Sequence, residues 1–91
     1  MAKEETRPWF PAHYDDPDTY AIKAVARGEA TDIQQRRALN WIIQTLCGTY
    51  DLSYRPDSDR DTAFAEGKRH VGMQIVKLIN LKPAQRGNDG R

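Results

Sequence analysis

The chain has 91 residues, with 14 basic against 13 acidic side chains, a formal net charge of +1, and hydrophobic and charged fractions of 38% and 30%. Such a length supports one domain with a thin core, burying only about 60–65% of the surface that the unfolded chain exposes, and oligomerisation is the natural remedy. Balanced charge excludes a general drive toward nucleic acid, the single cysteine, Cys47, excludes an intrachain disulfide, and no apolar run nears the roughly 20 residues of a membrane span.

Residues 1–16 read as an extended arm. Pro8 and Pro11 stand beside Trp9, Phe10 and Tyr14, and proline biases both itself and the preceding residue away from helix. The aromatic rings are expected to lie across the domain's own helices; the alternative is docking on a neighbouring subunit. Acidic residues occur near the amino terminus where a secretory signal is basic and then apolar, so an intracellular location is expected.

Three helices follow, at about 17–27, 31–47 and 58–81, which predicts an all-α fold, a small three-helix bundle. Asp16-Pro17 starts the first, with the carboxylate as N-cap and proline at the first helical position. Its inward face is expected to hold Ala21, Ile22, Val25 and Ala26, and Gly28 closes it in a left-handed cap. Thr31 starts the second, and Cys47-Gly48 ends it. Leu39, Ile42, Ile43 and Leu46 share one face at helical spacing and are expected in the core. Trp41 lies nearly opposite them, one turn beyond Arg37, where a guanidinium can stack on the indole. The arm or another chain is expected to cover it.

From Gly48 to Asp57 the alternation of Tyr50, Leu52 and Tyr54 resembles a strand, but one isolated strand ended by Pro56 cannot build a sheet. An extended connection covering the helix ends is expected. Ser58, with Asp61 three residues on, opens the third helix in a pattern close to a capping box. Phe64, Gly67, Val71, Ile75, Leu78 and Ile79 form its apolar stripe and the expected spine of the core, with Gly67 and Gly72 allowing close approach of another helix. Residues 82–91 lack apolar anchors and are expected to be a disordered tail.

The other side of the third helix carries Glu66, Arg69, His70, Met73 and Lys77. Met73 is apolar among charges, and with Lys68 nearby and Arg37 and Trp41 on the second helix it suggests a partner-binding surface. Acidic residues at the helix start and Lys68, Arg69, Lys77 and Lys82 toward its end follow the helix dipole and carry no separate signal. A DNA-binding alternative rests on helices one and two read as a helix-turn-helix, with Gln34, Arg36 and Arg37 as the contacting residues. No catalytic set or zinc-site spacing accompanies His13 and His70, and Glu66 with His70 is an ordinary helix-surface spacing. No enzyme activity, metal or cofactor is therefore expected.

One string is specific enough to suggest relatives. Asp61-Thr62-Ala63-Phe64, followed by Glu66-Gly67-Lys68-Arg69 and Val71 and preceded by Leu46-Cys47-Gly48, resembles a family of small tailed-bacteriophage proteins encoded among virion structural and assembly genes. The resemblance spans about Ala38 to Leu81. It implies a phage setting, and together with the residue pattern the expectation is a non-enzymatic helical interaction protein in the bacterial host cytoplasm or the virion, oligomeric through the third helix and the arm, with another phage structural protein as a further partner. A DNA-binding packaging or regulatory factor is the alternative, and a counter-defence protein sequestering a small nucleotide between subunits is a third.

Overall fold

The computed structural model describes residues 7–82. The first six residues of the arm, and all of the tail expected to be disordered except Lys82, lie outside the described residues. The order is α1 (Asp16–Ala26), α2 (Asp32–Asn40), a π-helical turn (Trp41–Leu46) and α3 (Asp59–Asn80). The fold is all-α, a small bundle of three helices, and among the described residues there is no strand. No helix of the described residues is long and apolar enough to cross a membrane.

The ends of each helix follow from local chemistry. Asp15, one residue before the expected cap, holds the extended N-cap conformation of α1, and its N–H donates to Asp18 Oδ2 at 3.0 Å. At the other end Gly28 adopts φ +71; its N–H donates to the Val25 carbonyl at 3.0 Å and that of Glu29 to Ala24 at 2.9 Å, the paired bonds of a Schellman motif. Thr31 and Gln34 cap α2 reciprocally, at 3.0 and 3.1 Å. Ser58 Oγ accepts the Asp61 N–H at 3.1 Å at the start of α3. The Asp61 carboxylate does not complete the box; it turns to Arg7, 3.0 Å away.

α1 and α2 pack together as a hairpin, whereas α3 packs chiefly on the π-helical turn. That turn is where helix two departs from the expected single α-helix over 31–47. The Cys47 N–H donates to the Ile42 carbonyl at 2.9 Å, an i→i−5 bond that widens the coil. Gly48, at φ +58, then reverses the chain. Thr49 follows, fully buried, and gives both its N–H (3.1 Å) and its hydroxyl (2.6 Å) to the Ile43 carbonyl. Against Thr49 lies Gly72 of α3. A Cβ at that glycine would overlap the Thr49 hydroxyl and press on the Cβ atoms of Thr49 and Cys47, each at 3.0 Å.

Because contact is made at a glycine, α3 turns its small side chains inward. Its buried residues are Asp61, Ala65 and Gly72. At about 100° per residue, their mean direction lies about 100° round the helix from that of Phe64, Val71 and Leu78. The expected spine is therefore not the core. Phe64 is 48% exposed, Val71 52%, Leu78 67% and Ile79 55%; Gly67 is also exposed, and only Ile75 is half-buried. Helix two is corrected likewise: widening of its coil leaves Ile43 buried and Ile42 half-buried, with Leu39 and Leu46 outside. In α1, Ala21 and Ala24 are buried and Ile22 half-buried, while Val25 and Ala26 face out.

The connection is corrected too. Its carbonyls gather round the Arg55 guanidinium, which donates to Leu52 at 2.8 Å and Ser53 at 3.1 Å. Thr62 Oγ1 accepts the Arg55 N–H at 2.7 Å. With the backbone turned in, Tyr50, Leu52 and Tyr54 point to solvent instead of covering helix ends.

Among the described residues the core consists of Ala21, Ala24, Ala38, Ile43, Cys47 and Ala65, and Thr49 is the largest fully buried side chain. The molecule measures 47 × 34 × 16 Å, with a radius of gyration of 16.0 Å against about 11–12 Å for a compact chain of this size. Two substitutions test the glycine contact. Gly72→Ala is expected to destabilise the chain by about 1–3 kcal/mol despite alanine's better helix propensity. Gly67→Ala, with nothing within 4 Å of the added methyl, is expected to stabilise the dilute monomer by up to about 1 kcal/mol. Urea unfolding checks both.

Candidate partner interface

The arm is fixed to the helices by three polar contacts. Arg7 pairs with Asp61 at 3.0 Å, Lys68 Nζ donates to the Pro8 carbonyl at 2.9 Å, and Trp41 Nε1 donates to the His13 carbonyl at 2.9 Å. Pro8 is buried and Phe10 half-buried. Trp9 meets Phe10 edge-on, ring centroids 4.5 Å apart, yet remains half exposed. The described part of the arm thus runs over its own chain, as expected, and it contacts Trp41, which stays half-buried.

Between the arm, the π-helical turn and α3 lies an apolar groove of about 340 Å³, walled by Trp9, Phe10, Leu46, Phe64 and Val71. Leu78 and Ile79 continue the exposed face beyond it. Beside the groove a cleft of about 470 Å³ is edged by Arg7, Arg55, Lys68 and Asp51. A further apolar recess of about 420 Å³ lies between α1 and α2 at Val25, Leu39 and Ile42. The apolar groove adjoins the exposed side of α3 through Phe64 and Val71.

The residues singled out from sequence are dispersed. Glu66, Arg69, His70, Met73 and Lys77 do share one side of α3, where Arg69 Nη1 lies 3.6 Å from Glu66 Oε1. Lys68 projects elsewhere, to the arm. Arg37 does not stack on Trp41: its Nε donates to Asp18 Oδ1 of α1 at 2.8 Å. Of the DNA-contact set, Gln34 is occupied in the α2 cap and Arg37 in that ion pair, leaving Arg36 exposed. Cys47 is buried. Among the described residues no three metal-ligating side chains come together.

Trp9, Leu46, Phe64, Val71 and Leu78 are the surface residues that sequence reasoning misplaced or left out. The available signal was spacing: Phe64, Val71 and Leu78 recur every seven residues, the narrow seam of a helix that pairs with another. The chain matches no protein-family model, no curated protein and no solved structure.

Electrostatics act at the α1–α2 hairpin. The Asp15 N–H, and then the Arg37 guanidinium, hold the Asp18 carboxyl below its ordinary pKa. A lowered folded-state pKa means stabilisation that is present above the ordinary value and is lost as pH falls through the folded one. Asp18→Asn is therefore expected to be less stable than the wild type near pH 7, with the gap closing as pH falls below about 4. Denaturant unfolding of both proteins across that range measures it.

Proposed function

We propose that the protein is a small non-enzymatic interaction protein that works as an oligomer, in the particle or the assembly of a tailed bacteriophage, within the host cytoplasm or the virion. The observation that carries the oligomer is the outward stripe of α3, contiguous with the Trp9–Leu46 groove, over a core largely of alanine. A monomer of this construction leaves Phe64, Val71, Leu78 and Ile79 about half or more exposed, and complete burial of such side chains is favourable, by about 25 cal/mol for each Å² of apolar surface removed from water. A second copy supplies that burial without any other component. The phage setting is supported by the resemblance of the Asp61–Val71 string, and another structural protein of the particle is the partner class it implies.

Sedimentation over an about hundredfold range of concentration tests the oligomer. A rising mass is expected, and Phe64→Asp with Leu78→Asp is expected to hold the chain as a monomer, whereas Met73→Asp leaves the mass unchanged. A wild type that stays monomeric throughout contradicts the reading. For the setting, portal, capsid or tail genes are expected beside this one; early genes there would count against it.

A further inference from the structure

Resting on the self-association just proposed, we infer that the oligomer is built on a two-fold dimer in which α3 pairs antiparallel with α3 of a second copy, centred on Val71. Phe64, Val71 and Leu78 are spaced by seven residues, so an antiparallel pair with Val71 on the axis sets Phe64 of each copy against Leu78 of the other. The molecule is then its own complement. At one end of the stripe lies the groove walled by Trp9, Leu46, Phe64 and Val71; at the other, Leu78 and Ile79 project. A two-fold axis brings each projection to each groove at once, as an isologous interface requires.

Charge selects the same direction. Asp57 and Asp59 outnumber Arg60 about the start of α3, where Asp61 is already paired with Arg7, and Lys77 and Lys82 lie at and just beyond its end without an acid among residues 77–82. Antiparallel pairing lays acidic end on basic end and opposes the helix dipoles, whereas parallel pairing stacks like on like. Gly67, set in the stripe with open space above it, meets Ile75 of the other copy and permits close approach of the helices. The area required is a small share of the surface. A standard interface takes about 800 Å² from each partner, roughly 11% of the 7112 Å² that the chain exposes, and α3 alone is about 33 Å long.

Thiol crosslinking in the full chain tests the register. A disulfide accepts only Cα spacings of about 4.4–6.8 Å and a narrow geometry, so a short bis-maleimide, which tolerates a wider range, is the probe. Wild type, with only the buried Cys47, supplies the background. Val71→Cys is expected to give covalent dimer at least about tenfold above wild type, and a mixture of Phe64→Cys chains with Leu78→Cys chains the same, while either of those alone stays near background. Efficient crosslinking of Phe64→Cys alone and Leu78→Cys alone would show parallel pairing and overturn the inference. Background levels at Val71→Cys in a protein that sediments as a dimer would place the interface elsewhere, for example on the α1–α2 recess, overturning the inference but leaving self-association standing. A protein that sediments as a monomer overturns both.

Discussion

Thr49 joins the two halves of the molecule. Its N–H and hydroxyl both end on the Ile43 carbonyl, at 3.1 and 2.6 Å, and its other side rests on Gly72 of α3. The π-helical turn, the reversal after it and α3 meet at this point. The π-helical turn presents the Ile43 carbonyl because its coil is one residue wide of an α-helix, Gly48 supplies the left-handed reversal that brings Thr49 back, and Gly72 supplies the space. A hydroxyl already committed to a buried carbonyl cannot rotate away from an added methyl without leaving that acceptor unsatisfied. The rotation of α3 about its axis is therefore set by one contact between a small polar side chain and a residue without one.

That rotation determines what the surface offers. With Gly72 and Ala65 turned inward, Phe64, Val71 and Leu78 are carried about a quarter-turn away, onto the open side. The arm covers part of the shortfall, held by Arg7, Lys68 and Trp41, but its own Trp9 adds to the exposed apolar area. What results is a thin molecule, 16 Å across its thinnest dimension, with the apolar stripe of α3 outside its core.

The local parts of this structure are legible in the sequence, and the relation between parts is not. Thr31, Ser58 and Gly28 mark helix ends by chemistry contained within a few residues, and all three act as expected. The capping carboxylate of α1 is displaced by one residue, to Asp15. The π-helical turn has no residue signature of its own here, so a regular wheel carried through Trp41–Leu46 assigns Leu39 and Leu46 to a core they do not reach. The stripe on α3 is legible in the sequence as a stripe; its destination is not, because hydrophobicity alone does not say whether a face is buried within its own chain. A helix with its apolar seam on one side and its small residues on another contains two packing surfaces, and only the tertiary contact shows which serves the fold. The charged set on α3 and Arg37 likewise looked like one surface, whereas Lys68 and Arg37 are used within the chain, holding the arm and α1.

The proposed association through the seam left outside by the Thr49–Gly72 contact would raise the stability of the chain, since a partner that binds only the folded form stabilises it by mass action. The melting temperature of the wild-type chain, recorded over an about hundredfold range of its own concentration, measures this directly. A rise of about 5–10 °C is the predicted result for a dimer of this size. A melting temperature that does not move across that range would mean that the exposed face of α3 is stable in water as it stands, and would contradict a fold completed by its own copy.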